Sequence, residues 1–390
     1  MINNPIQTLK RDIDEYLLWM ISAGYSFSTC GTYRTELSNF TLFIIRRQIG
    51  WNDIFTPHTL EEFQKDTQAA TGPAVRGLWQ YLFNQKRIHH QIVDRPHRRL
   101  PDPYEDYLLY YHQTRKVSSI KLNRIRRVLC PFHDYLEREN IKLASIRIEH
   151  LDAFLAEFFA PFSPLSRHTY RTYLRGFLKF LYYPGKILRK NLAPMVVGAR
   201  QFAQSKPPTF FRTHEIQRLF ESFDLSSFKN LRNYAMLHLA YHLGLRPDEI
   251  SLITLDDISF TQSELTLTTR KNDRPTKLPL PENTLKAITA YIIGARPKSS
   301  DRRLFLNLVA PYRPISAQSV GQHITECIRK AGLSGTAYWL RHTYAQNLLE
   351  AGSSIYEIKE MMGHTNINSS EKYLHVHINL MRRVIFDETL

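Results

Sequence analysis

Five residues in the last part of the chain, Arg246, Lys271, Arg341, His364 and Tyr373, have the types and the order needed to cut a phosphodiester. Non-bridging phosphate oxygens repel a nucleophile. Two guanidinium forks that grip them bidentately remove that repulsion without changing protonation state. The 5′ oxygen leaves as an alkoxide unless a general acid protonates it, and a lysine on a hairpin tip can do so. A tyrosine hydroxyl then attacks phosphorus and stores the bond energy as a covalent ester. Its free pKa is about 10, so nearby arginines and a hydrogen-bonding partner must ease its deprotonation. His364, just after Gly363, would add a donor to the phosphate.

These residues need elements to position them. In "YHLGLRPDEISLITLDDI", Arg246 falls between the helix-ending Gly244 and Pro247, which suits the first turn of a new helix. The runs "ELTLTT" and "TKLPL" alternate as strands around "RKNDRP", which puts Lys271 in a tight turn. "YWLRHTYAQNLLEAG" places Arg341 early in a helix that Gly352 ends. A capping box at Ser354 starts the helix that precedes His364. Each residue alone carries little weight, since the chain has 52 lysines and arginines and 21 tyrosines. A lone tyrosine is more often core, and a lone arginine more often a surface group. The signal lies in the order and spacing of all five.

The rest of the 390 residues has room for two or three domains. A net charge of +16 favours a polyanion as partner, through phosphate neutralisation and counterion release. An anionic membrane surface would select for the same excess. No apolar run is long enough to span a bilayer, and charges break the N-terminal segment too early for a signal peptide. Three scattered cysteines, Cys30, Cys130 and Cys327, offer neither a disulfide framework nor zinc spacing, which fits a reducing cytoplasm.

Residues 1–98 read as helices with apolar positions three and four apart. Residues 99–190 form a second helical block, 191–212 a basic linker, and 213–390 a block of helices with a strand pair, opened by Thr213 as helix cap. "YEDYLLYY" echoes "IDEYLLWM", and "YLRGFLKFLYY" echoes "LWQYLFNQ". Two readings stand: one module duplicated, or a chance likeness between helical sequences. Between Phe158 and His214 there is no Asp or Glu. There Arg167, Arg171, Arg175 and Lys179 recur every four residues, opposite an apolar face of Tyr170, Tyr173, Leu174, Phe177, Leu178 and Leu181. "YYHQTRKVSSIKLNRIRRVLC", with Arg124 and Arg127, is a second carboxylate-free run. Solvated faces usually alternate sign, so both runs read as phosphate-contacting surfaces.

The last block resembles the catalytic domain of the tyrosine recombinase (phage-integrase-type) family. "LGLRPDEISLITLDDI" is similar to the family's T-G-L-R-x-x-E-L segment, and "RKNDRPTKLPL" to its G-K-G-x-K-x-R-x-x-P-L hairpin. "YWLRHTYAQNLLEAG" resembles H-x-L-R-H-T-F-A-T-x-L-L-x-x-G, and "MMGHTNINSSEKYLHV" resembles L-G-H-x-x-x-x-T-T-x-x-Y-x-H-V. The resemblance places Arg246, Lys271, Arg341, His364 and Tyr373 on catalytic positions. It implies helical DNA-binding domains followed by an α+β catalytic domain, mainly α with a small β-sheet. It further implies an additional DNA-binding module in residues 1–98, double-stranded DNA as partner, a tetramer on two sites, and neither metal nor cofactor. One position departs: Tyr338 stands where the family has a histidine, either as a donor to the phosphate or as a pocket wall. A type IB topoisomerase-like enzyme and a catalytically silent DNA-binding protein of this fold are the rival readings.

Overall fold

Hydrophobic periodicity in the first 90 residues becomes a small helical bundle. The computed structural model describes residues 5–67, 73–89, 98–198, 209–268 and 275–363. By contact these fall into two compact units, one of Val93–Ser205 and one that joins Met1–Ile92 to Lys206–Leu390. Three large apolar cores underlie them, one in each block.

The first block holds α1 (Pro5–Ser22), α2 (Phe27–Arg47), the short α3 (Trp51–Ile54), α4 (Pro57–Thr67) and α5 (Pro73–Asn84). Ser26 caps α2 by accepting the Thr29 N–H at 3.1 Å, and Gln48 ends it in the left-handed region. Leu9, Ile13, Tyr16, Leu17 and Met20 of α1 meet Leu37, Phe40, Phe43 and Ile44 of α2 and Leu78, Trp79 and Leu82 of α5. Asp12 is fully buried in this bundle and pairs with Arg87, which also bonds Glu15 at 2.6 Å.

The second block repeats this economy with α6 (Asp102–Arg115), α7 (Ser119–Arg138), α8 (Ile148–Phe159) and α9 (Pro164–Tyr182). Ser163 caps α9 and Pro164 occupies its first position. Leu174, Phe177, Leu178 and Leu181 are buried, and Tyr170 and Tyr173 flank them half-buried, as the pattern required. Leu192, Ala193 and Val196 pack into this core, and Phe211 into the next, so both described ends of the 191–212 stretch are anchored.

The third block is built around α11 (Phe228–His242), which follows α10 (Thr213–Glu221). The cap of α10 is Arg212, not Thr213: its N–H donates to Glu215 Oε2 at 2.8 Å, so Thr213 already lies inside the first turn. Next come α12 (Pro247–Leu252), strands β1 (Ile258–Ser259), β2 (Glu264–Leu267) and β3 (Thr276–Pro279), and α13 (Glu282–Gly294). The described residues end with α14 (Ala317–Lys330), α15 (Ala337–Glu350) and α16 (Ile355–Met361). The sheet is antiparallel in the order β1-β2-β3, with Leu265 opposite Leu278 and both side chains in the core. Helix α11 packs on α13, α14 and α15, which buries Ala235, Met236, Leu239 and Ala240. The protein is thus mainly helical with a small sheet. No described helix is long and apolar enough to cross a membrane.

Candidate active site

Arg246 is placed by a backbone that only glycine allows. Gly244 sits at φ +59°, and a Cβ there would collide with the Tyr344 ring. This ends α11 and turns the chain so that Arg246 caps α12, with Pro247 as first helical residue. Glu249, in the first turn of α12, accepts the Arg246 backbone N–H at 2.8 Å and its Nη1 at 2.9 Å. Arg246 Nη2 lies 3.4 Å from the Gly363 carbonyl.

Arg341 comes from a different helix to the same place. It lies in the second turn of α15 and is only 4 % exposed. Its guanidinium donates to the carbonyls of Gly244 and Met362, and Nη1 lies 3.7 Å from Glu249 Oε2. One carboxylate therefore faces two guanidiniums. Carbonyl dipoles from the ends of α11 and α16 share the load. Buried cations need such fixed partners, because desolvation otherwise outweighs what they gain.

Glu249 was not among the residues singled out from sequence. The signal was present: an acid three residues after an arginine at a Pro-initiated helix start, where it can serve both the cap and the side chain. Lys271, His364 and Tyr373 lie outside the described residues. Lys271 belongs to the stretch joining β2 and β3, whose register is fixed by the Leu267–Thr276 pair. His364 follows Gly363, whose carbonyl Arg246 engages.

Tyr338 lies in the first turn of α15, three residues before Arg341. It is 54 % exposed and lines an open cleft of about 570 Å³ with Gln318, Gln322, Thr325 and Arg329 of α14. It makes no hydrogen bond to a described residue.

The proposed DNA-facing cations divide into two kinds. Arg124, Arg127, Arg175 and Lys179 are exposed. Arg167 donates through Nε to the Phe162 carbonyl at 2.7 Å, and Arg171 lies over the Phe159 ring at 4.7 Å. A four-residue step overshoots the helical turn by about 40°, so the four positions on α9 wind through about 120°. They form a spiral, not a single row.

Known proteins give the arrangement its context. Residues 209–379 match the model of the phage integrase family. The last part of the chain, 209–379, is thus similar to the phage integrase family. It is 25 % identical over 374 residues to the putative integrase/recombinase y4rA of Sinorhizobium fredii, covering 93 % of this chain and 90 % of that one. It is 29 % identical over 264 residues to tyrosine recombinase XerC of Anoxybacillus flavithermus, covering 65 % and 86 %. The fold is that of the site-specific recombinase XerH bound to palindromic difH substrate, at TM-score 0.59, 16 % identity and 98 % and 97 % coverage. The Tn1549 transposon integrase in complex with transposon right end DNA matches at TM-score 0.55, 16 % identity, and 70 % and 94 % coverage.

Proposed function

We propose that this recombinase cuts and rejoins double-stranded DNA for a mobile element, as a site-specific recombinase, integrase or transposase. The observation that carries the reading is the pair Arg246 and Arg341, drawn from two helices onto one carboxylate and the carbonyls that precede His364. In the proposed reaction the Tyr373 oxygen bonds to phosphorus while the bond to the 5′ oxygen breaks. The result is a 3′-phosphotyrosyl intermediate. Arg246, Arg341 and His364 hold the non-bridging oxygens, and Lys271 gives its proton to the departing 5′ oxygen. Attack by a 5′ hydroxyl of the second strand reverses these steps and rejoins DNA. The arginines supply the charge neutralisation, so neither metal nor ATP takes part. Assembly is a homotetramer on two DNA sites, in the cytoplasm. Support comes from the likeness to DNA-bound recombinases and from the charge of +16.

On a nicked suicide substrate, Tyr373→Phe abolishes the covalent adduct and leaves DNA binding intact. An adduct that persists and maps to another tyrosine would overturn the assignment. Cleavage also survives excess chelator; loss in EDTA with recovery in magnesium would reassign the chemistry. The rival of a silent DNA-binding protein draws on Tyr338, which faces α14. Any adduct with the natural chain removes that rival. A relaxing enzyme of topoisomerase type would act as a monomer, so strand exchange that rises steeply with protein concentration excludes it.

A further inference from the structure

The two helical blocks share one plan down to single contacts. Tyr16 of α1 and Tyr107 of α6, in the echoing segments, are both 2 % exposed. A Cβ added to Gly77 of α5 would strike the Tyr16 hydroxyl, and one added to Gly176 of α9 would come within 2.6 Å of the Tyr107 hydroxyl. In each block, then, the last helix crosses the first at a glycine seated on a buried tyrosine.

The second helices agree in register. Leu37, Phe40, Phe43 and Ile44 of α2 are buried, as are Leu129, Phe132, Tyr135 and Leu136 of α7, each 92 positions later. The same offset relates the caps Ser26 and Ser118. It also relates Gln48 (φ 51°) and Asn140 (φ 54°), non-glycine residues in the left-handed region just past the end of each helix. A shared helical period can arise by chance. A shared close approach, core register and left-handed residue after the helix do not follow from it.

The blocks part company in charge. Residues 93–205 carry twenty Lys and Arg against ten Asp and Glu, whereas 1–92 carry nine against eight. The loss is local. Lys121, Arg124 and Arg127 on α7 are matched, at the same offset, by Thr29, Thr32 and Thr35 on α2. Exposure is conserved with position: the first of each trio is half-buried and the other two exposed. The adjoining α1–α2 turn also has its own partner. Gly24, at φ +86°, sits so close to the Tyr312 ring that a Cβ would lie 2.6 Å from it. Tyr25 lines a cleft with Asn307, Pro311 and Arg313. A phosphate-gripping end has become an end that meets protein.

We propose that residues 5–87 are a second copy of the helical module at 102–190, converted from gripping DNA to docking on the 307–313 loop of the catalytic block. This rests on the reading of the second block as the DNA clamp. Duplication frees one copy to lose its cations, because the other keeps the phosphate contacts. The copy then braces the catalytic block and leaves the electrostatic part of DNA affinity untouched.

Two triple variants of the full chain test it. Lys121→Thr, Arg124→Thr and Arg127→Thr together flatten the slope of log K against log salt by about 2.7, at about 0.9 per phosphate contact. The reciprocal set, Thr29→Lys, Thr32→Lys and Thr35→Lys, leaves the slope unchanged. A slope steepened by that set puts the first copy on DNA and overturns the conversion. An unmoved slope in the α7 set instead refutes the clamp reading of the second block. Docking is read separately, by hydrogen exchange at residues 19–25 and 307–313. Tyr312→Ala, which leaves the backbone of both segments free to fold, raises exchange about tenfold in both segments, and Gly24→Leu does the same. Unchanged protection in both variants overturns the docking.

Discussion

The second helical block and the catalytic block both gather positive charge, and they hold it in opposite ways. Arg341 is buried, with two carbonyls and a carboxylate around it, and Arg246 is tied to that same carboxylate. Arg124, Arg127, Arg175 and Lys179 stand exposed, with no ion pair to a described residue. A fixed cation is already aimed when charge develops on a phosphate, so it serves rate. A loose, solvated cation costs little to keep and releases counterions on contact, so it serves affinity and makes that affinity depend on salt. Arg171, stacked on Phe159, is intermediate between the two.

Substitutions can break this contrast. The largest effect is expected at Arg341→Lys, where a single ammonium replaces the fork. Single-turnover cleavage should fall about 10³-fold. The Gly244 and Met362 carbonyls lose their donors, at a cost of about 1–3 kcal/mol, so the melting temperature should drop by several degrees as well. Arg246→Lys should lower cleavage about 10²-fold with little change in melting, since this side chain caps a helix nearer the surface. Equal melting losses in the two variants would erase the distinction drawn between them. Glu249→Gln keeps the shape and removes the shared charge. It should slow cleavage about tenfold and destabilise the fold, because the carboxylate that both guanidiniums share is then neutral.

Smaller effects sharpen the comparison. Replacing Arg175 and Lys179 by alanine should flatten the salt slope of DNA binding by about 1.8 and leave cleavage at saturating DNA unchanged. Replacing Arg167 and Arg171 should move the slope less and the melting temperature more, because both already have partners within the block. A larger slope change from the second pair would reverse the assignment of loose and fixed cations on α9.

The smallest expected effect concerns a buried group with no anion beside it among the described residues. His238 is 4 % exposed against Phe220, and burial, with His242 beside it, pushes its imidazole down to about 4. The unfolded chain titrates near about 6.5, so between these values it binds the extra proton. Stability therefore falls as pH is lowered through that window and levels off below it. His238→Asn, which retains a partner for Thr284, should flatten this part of the melting profile; an unchanged profile would assign the pH dependence elsewhere.

How much of this was legible in sequence depended on whether the signal was local. Helices announced themselves through spacing, and Gly244, Pro247, Gly352 and Ser354 marked their ends, because caps are set by a few adjacent residues. Arg246 and Arg341 were placed by motif, and the structure brings them together. Strand β1 was missed because two residues cannot show alternation. Glu249 was missed because its second role lies 92 residues away, at Arg341. The four-residue recurrence of cations on α9 does not make one row, since it winds around a helix of 3.6 residues per turn. Tyr338 could be placed on its helix, but the cleft it lines with α14 could not, because the two helices meet only in the fold.

The carbonyls of Met362 and Gly363 carry one more consequence. They are the last links before the stretch that contains Tyr373, and the two arginines hold them. In the proposed chemistry the nucleophile is therefore a ligand on a leash, rooted at its own reaction centre. Ten positions separate Gly363 from Tyr373, a span of at most about 35 Å. Any shift of the guanidiniums that welcomes a phosphate also moves the root of the leash, so substrate capture and delivery of the nucleophile are coupled through the same two side chains.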